Sequence, residues 1–203
     1  MKLIYKCDLF TYTMFLVIVL MYVYNIFVNG FDAFTGISGE QVTRAGGMDG
    51  DSSLIAIISS LFAHQSASHL IINLIMFYVL GRMTYDNFGN IPYIVGFFAS
   101  GIVGNLITLI VLNNGTALGT SGCIFGLIGM LLIASFSNLE KFEKLYKIKI
   151  YIAILAITCI FYTLMNFGHG TNIYSHLFGF TTGVVTGFIY SGILKLNKGC
   201  GVK

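Results

Sequence analysis

Six long apolar runs constrain the fold of this chain more than any other feature. A helix that crosses the hydrocarbon core of a bilayer needs about 20 mostly apolar residues. Runs of about that length lie near residues 10–29, 54–80, 91–112, 117–137, 148–167 and 172–194. Only 9% of the residues are charged, whereas a soluble domain carries about 25%. The sequence therefore predicts an all-α membrane protein, a bundle of six transmembrane helices in which residues 1–203 form one domain.

The basic residues predict the orientation of this bundle. The second run is long and polar at its start, so five and seven spans are the alternatives to six. With six spans, all Lys and Arg residues except Arg44 fall on one side of the membrane. Because Lys and Arg are concentrated in cytoplasmic loops, both termini are expected to be cytoplasmic, in a multi-pass protein of the plasma membrane. The second, fourth and sixth spans then enter the bilayer from its outer face.

The charge and cysteine content exclude other classes of partner. The formal net charge of +3 is too small to indicate a nucleic-acid ligand. The four cysteines, Cys7, Cys123, Cys159 and Cys200, are scattered without the spacing of metal ligands. We therefore expect no metal, no cofactor and no nucleic acid, and the lipid bilayer as the surroundings. The sequence carries no signal for an oligomeric state.

Polar residues occur in the three runs that enter from the outer face. His64, His69 and Asn73 lie in the second run, Ser121 in the fourth and His176 in the sixth. Ionisable residues within a membrane are rare and by default mark a functional site. His69 and Asn73 are four residues apart and share a helix face, whereas a helical His64 would point about 140° away, toward a different neighbour. At ~1.5 Å per residue, Ser121 and His176 should both lie roughly 5–10 Å below the outer surface.

Glycines predict that the fourth and sixth helices pack closely. Small residues at every third or fourth position let two membrane helices approach one another. Two such stripes occur, one in the sixth run and one in the fourth: Gly179, Gly183 and Gly187, and Gly119, Gly122, Gly126 and Gly129. Packing alone explains such stripes, but Ser121 and His176 border them. Close approach would bring the Ser121 hydroxyl within ~2.6–3.2 Å of the His176 imidazole.

These residue types are suited to nucleophilic catalysis. A serine hydroxyl is a poor nucleophile unless a base takes its proton, and no carboxylate lies within any of the six runs, which favours a Ser–His dyad. An oxyanion would need donors, and Asn73, His69 and the Ser121 backbone N–H are the candidates. His169 in the preceding outer loop is the competing base, which we interpret as a solvated loop residue.

Taken together, the residues resemble the rhomboid family of intramembrane serine proteases. The resemblance covers essentially the whole chain and rests on three motifs: His64-x4-His69-x3-Asn73, Gly119-Thr120-Ser121-Gly122 and His176-x2-Gly179-x3-Gly183. It implies that Ser121 is the nucleophile, that His176 is the general base and that Asn73 and His69 line the oxyanion hole. It also implies that His64 ties the outer loop to the second span and that Phe125 packs near the base. Its expected substrates are single-span membrane proteins, cleaved near the outer end of the span.

The chain departs from the family pattern at two places. Family members commonly have Trp-Arg shortly before the first histidine, but here the stretch reads SSLIAIISSLFAH and the chain has no tryptophan. This departure concerns how the outer loop is anchored. Ser175 stands where the family often has alanine before the histidine.

Two other functions are compatible with a polar bundle of this kind. A rhomboid-like protein that binds membrane clients without cleaving them is one, although such proteins usually lose the serine or the histidine. A transporter or channel lined by the histidines is the other, although the inner halves of the spans carry no titratable group that would continue a pathway. The sequence favours the protease.

Overall fold

The computed structural model describes residues 8–111, 116–137 and 172–199, together with the isolated helical positions 153 and 157. Within these ranges the chain is helical and contains no β-strand apart from one isolated bridge between Met48 and Ala117. The helices are α1 Leu9–Asn29, α2 Asp32–Thr35, α3 Glu40–Arg44, α4 Leu54–Ser59, α5 Ala67–Phe88, α6 Asn90–Val111, α7 Ser121–Phe136 and α8 Ile173–Gly199.

Four of these helices, α1, α5, α6 and α8, are long and apolar enough to cross a membrane. Helix α7 is also apolar but has only 16 residues, about 24 Å at 1.5 Å per residue. The prediction of an all-α, multi-pass membrane protein is therefore confirmed. The predicted fifth span at 148–167 lies outside the described residues.

The predicted bounds of the second span are wrong. The run 54–80 contains the short helix α4, a non-helical segment at 60–66, and the first part of α5, which continues to Phe88. The segment ends because Ser66 caps α5, with its hydroxyl accepting a hydrogen bond from the His69 N–H at 3.3 Å. Arg82 follows the predicted end of this span, but it lies within α5 and forms a salt bridge with Asp86 at 3.1 Å.

Helix α7 lies at the centre of the bundle. It packs against α5 and α6 and most extensively against α8, and most of its residues are buried. A helix surrounded by protein does not have to match the thickness of the lipid, which explains how a span of only 16 residues is accommodated. Because α7 begins at Ser121 rather than at residue 117, Gly119 precedes the helix, and its expected place in a helical glycine stripe is wrong.

The other glycines bring α7 and α8 into backbone contact. A methyl group on Gly183 would clash with the Gly126 carbonyl oxygen, and one on Gly179 would clash with the Gly122 carbonyl oxygen. A methyl group on Gly129 would meet the backbone of α8 in the same way. The remaining members of the two predicted stripes therefore define the α7–α8 interface, as small residues do in membrane helix pairs.

The loop between α1 and α5, which is predicted to lie outside, is anchored to α1 by hydrogen bonds. The Tyr22 hydroxyl donates to the Ala33 carbonyl at 2.7 Å, and Asn25 Nδ2 donates to the His64 carbonyl at 2.9 Å. One turn further, Asn29 Nδ2 donates to the Gln41 carbonyl at 3.0 Å. These bonds hold the loop in a chain that lacks the Trp-Arg pair.

Candidate active site

Ser121 is the first residue of α7, and the turn before it is bonded to the segment that precedes α5. The Gly119 N–H donates to the Ser60 carbonyl at 2.8 Å, and the Thr120 hydroxyl donates to the Leu61 carbonyl at 2.7 Å. Gly119 has φ of 123°, which L side chains rarely adopt, and a Cβ there would lie 2.9 Å from the His69 ring. Glycine at 119 is therefore required both by the turn and by the neighbouring imidazole.

His176 lies in the first turn of α8 and faces Ser121. Its Nε2 is 2.8 Å from the Ser121 Oγ, within hydrogen-bonding distance. The imidazole also stacks on the Phe125 ring, with centroids 4.4 Å apart and planes 8° apart. Phe125 is one turn after Ser121 on the same helix, so α7 supplies both the hydroxyl and the surface against which the imidazole packs.

His69 and Asn73 lie on the face of α5 that is turned toward this pair. The His69 ring is next to Gly119 in the turn before Ser121. Asn73 is buried, and its Nδ2 donates to the His69 carbonyl at 2.9 Å, which uses one of the two amide protons. The N–H groups of the first turn of α7 have no acceptor within their helix. The His69 ring thus lies beside the turn that carries Ser121, and Asn73 lies one turn further along α5.

The helical spacing predicted that His64 points away from His69, but the structure shows the two rings in contact. It precedes α5, so the 140° rotation does not apply, and the two imidazole rings are in edge contact with centroids 5.1 Å apart. The His64 Nδ1 is 3.1 Å from the Phe62 carbonyl, and its own carbonyl accepts from Asn25 of α1. Through these contacts His64 connects α1 to the segment before α5.

Of the predicted site residues, the structure brings Ser121 and His176 into contact and places His69 beside the turn that precedes Ser121. Asn73 is bonded to the His69 carbonyl on α5, and Phe125 and the glycines Gly122, Gly179 and Gly183 lie in or beside the α7–α8 contact. The competing base His169 lies outside the described residues. The catalytic roles of these residues stay predictions.

Sequence reasoning missed two asparagines that organise the surroundings of the site. Asn25 on α1 holds His64, and Asn105 on α6 donates to the Ile57 carbonyl at 3.1 Å and to the Ser60 hydroxyl at 2.9 Å. Both side chains are buried in the structure. In the sequence, the signal that could have singled them out is an amide within an otherwise apolar run.

Comparison with known proteins adds independent information. The family model described as Rhomboid domain matches residues 51–193. Rhomboid-like protease 3 of Toxoplasma gondii is 29% identical over 133 residues, which cover 63% of this chain and 48% of that protein. Inactive RHOMBOID-like protein 8 of Arabidopsis thaliana is 34% identical over 94 residues, 46% of this chain and 26% of that protein. Rhomboid protease GluP of Bacillus subtilis is 26% identical over 145 residues, 70% of this chain and 26% of that protein.

The chain spans less than half the length of these relatives. Their names include both proteases and an inactive protein, so the similarity carries the fold but leaves the activity to be argued from the site. The matched region covers most of the chain and contains all three motifs, from His64 to Gly183. This multi-pass membrane protein therefore belongs to the rhomboid family.

Proposed function

We propose that this rhomboid is an intramembrane serine endopeptidase that cleaves single-span membrane proteins near the outer end of their transmembrane segment. The observation that carries this proposal is the 2.8 Å separation between the Ser121 Oγ and the His176 Nε2. A neutral imidazole at this distance accepts the hydroxyl proton, which is the activation that a serine nucleophile needs. Stacking on Phe125 limits rotation of the ring and keeps Nε2 directed at the hydroxyl.

The proposed reaction proceeds through an acyl-enzyme. The Ser121 Oγ attacks the scissile carbonyl carbon while His176 takes the hydroxyl proton, and the carbonyl oxygen becomes an oxyanion. Asn73, His69 and the Ser121 backbone N–H donate hydrogen bonds to it. His176 then gives the proton to the leaving amine, and the peptide bond breaks. Water, deprotonated by His176, hydrolyses the ester and releases Ser121.

The position of the pair supports a cut near the outer face. Ser121 begins α7 and His176 lies in the first turn of α8, and in the proposed orientation both helices enter from the outside. The scissile bond would therefore be reached close to the outer surface, where water is available. In this proposal residues 1–203 are one domain in the plasma membrane, both termini are cytoplasmic, and no cofactor takes part.

The test is reconstitution of the purified protein in liposomes with a model single-span substrate, with cleavage products identified by mass spectrometry. Wild type should cut at one site near the outer end of the span, and Ser121→Ala should not. Ser135→Ala is the matched control, because Ser135 is buried on the same helix and donates to the Leu132 carbonyl. Substrate that binds to the wild type but stays intact would instead support the client-binding function.

A further inference from the structure

Ser175, the residue before His176, fills the point at which α6, α7 and α8 meet. Its side chain is buried, and its hydroxyl donates to the Asn105 Oδ1 at 3.2 Å. A methyl group on Gly122 of α7 would clash with the Ser175 Oγ, and one on Gly104 of α6 would lie 3.0 Å from that oxygen. The hydroxyl therefore occupies a space that exists only because both facing residues are glycines.

Asn105 connects this point to the segment that holds the Ser121 turn. Its Nδ2 donates to the Ile57 carbonyl and to the Ser60 hydroxyl, while its Oδ1 accepts from Ser175. The Ser60 carbonyl in turn accepts from the Gly119 N–H, two residues before Ser121. One buried amide is thus bonded both to the neighbour of His176 and to the residue on which the nucleophile turn is anchored.

We propose that Asn105 and Ser175 form a positioning pair that sets the distance between the Ser121 hydroxyl and the His176 imidazole. This inference rests on the proposed protease function. Neither residue touches the reacting atoms. They act through the start of α8 on one side and the Ser60–Gly119 contact on the other. A buried amide that loses its partner incurs a free-energy cost, which favours the arrangement in which all its bonds are made.

The distances show why a small displacement matters. The dyad contact is 2.8 Å, and a hydrogen bond is lost beyond about 3.5 Å, so a shift of α8 by less than 1 Å breaks it. A misplacement of about 1 Å at a catalytic group can cost about 10²-fold in rate. The pair should therefore affect kcat rather than substrate binding.

The test is a double-mutant cycle of Ser175→Ala, Asn105→Leu and the double variant, in the liposome cleavage assay. We expect kcat to fall about tenfold to hundredfold in each single variant while KM stays near the wild-type value. The double variant should be no slower than Asn105→Leu, because Asn105→Leu already removes the only bond through which Ser175 is proposed to act. The rate at which a fluorophosphonate labels Ser121 should fall in parallel, since labelling needs the same contact but no substrate span.

Ser191→Ala is the matched control, because Ser191 is a buried serine on α8 whose hydroxyl has no hydrogen-bond partner in the described part of the structure. It should keep wild-type kcat and labelling. If Ser175→Ala also kept both, or lost them only in proportion to a loss of folded protein, the positioning role would be refuted. If Asn105→Leu does not fold, the comparison of Ser175→Ala with Ser191→Ala still tests the positioning role. A wild type that neither cleaves nor labels would overturn the protease proposal, and this inference with it.

Discussion

At the scale of single residues, the site depends on one short contact between side chains of two helices. The Ser121 Oγ and the His176 Nε2 are 2.8 Å apart, and one face of the imidazole stacks on the Phe125 ring. Such a pair works as a unit, because the serine is inert without a proton acceptor and the imidazole has no purpose without the serine.

Removal of either member of the pair should abolish detectable cleavage. We expect Ser121→Ala and His176→Ala each to be inactive, and the double variant to be no worse, since groups that act together are strongly non-additive. Activity should also fall as the pH is lowered, because an imidazolium has no lone pair with which to accept the Ser121 proton. Liposome cleavage assays over a pH series measure both effects.

The control for the choice of base is His169→Ala, which should cleave almost normally and react with a fluorophosphonate at the wild-type rate. An inactive His169→Ala protein together with an active His176→Ala protein would mean that His169 is the base.

Asn73 offers a separate test of the oxyanion site. We expect Asn73→Ala to fold but to cleave about 10²–10³-fold more slowly, the usual cost of losing one donor to the oxyanion. His69→Ala should slow cleavage less than Asn73→Ala does, if Asn73 and the Ser121 N–H provide most of the stabilisation of the oxyanion. The measurement is kcat for each variant alongside its thermal unfolding. Wild-type kcat in Asn73→Ala would remove this residue from the mechanism.

At the scale of helices, the distance between α7 and α8 positions the Ser121 hydroxyl and the His176 imidazole. Each helix carries one of them, and the two backbones touch where Gly122 and Gly126 face Gly179 and Gly183. The contact between Gly122 and Gly179 lies one residue after Ser121 on α7 and three residues after His176 on α8. The glycines therefore determine how closely the hydroxyl and the imidazole can approach.

A methyl group in this interface should separate the helices. We expect Gly183→Ala to lower thermal stability and to abolish most cleavage, because its Cβ would clash with the Gly126 carbonyl and overpacking typically costs about 1–3 kcal/mol. Gly192→Ala on the same helix is the matched control, since a Cβ there meets no atom within 4 Å in the described structure. The measurements are the thermal unfolding temperature and the cleavage rate of both variants. If Gly183→Ala and Gly192→Ala had the same stability and the same rate, the proposed role of the α7–α8 interface would be wrong.

At the scale of the whole molecule, the orientation in the membrane determines which side of the bilayer the site faces. In the predicted six-span arrangement, Arg44 alone among the Lys and Arg residues falls on the side of the loop between α1 and α5, which also carries Asp32, Glu40, Asp49 and Asp51. The described part of this loop is held to α1 and to the Ser121 turn by hydrogen bonds, so the loop and the site belong to the same face.

Cysteine accessibility tests this orientation. In a background without the native cysteines, we expect Glu40→Cys to react with a membrane-impermeant maleimide added outside intact cells, and Lys144→Cys to react only after the membrane is opened. Both positions lie between predicted spans, so each serves as the control for the other. Labelling of Lys144→Cys from outside would reverse the arrangement and place Ser121 and His176 near the cytoplasmic face.

Particular elements show how far the sequence predicts this fold. The first and third runs, 10–29 and 91–112, agree with α1 and α6 within one residue at each end, because length and hydropathy suffice for an uninterrupted span. The predicted bounds of the second span are wrong because the apolar stretches of α4 and α5 lie on both sides of the short segment 60–66 and together form one run. What breaks this run is the Ser66 cap and the bonding of the Ser60 and Leu61 carbonyls to residues 119 and 120, contacts that hydropathy does not register.

The sequence by itself determined that the chain spans a membrane, that it carries the three rhomboid motifs, and that Ser121, His176, His69 and Asn73 are the residues to consider. The first conclusion needs only composition and the length of the apolar runs, whereas the other two rest on residue spacing together with the resemblance to the rhomboid family. Only the tertiary structure decided that His64 contacts His69, that Gly119 is part of a turn rather than a helix stripe, and that Asn105 is bonded to Ser175. Each of these contacts depends on how one helix is rotated and placed against another. Ser175 and Asn105 are 70 residues apart, so their hydrogen bond follows from that placement and not from the residues next to them in sequence.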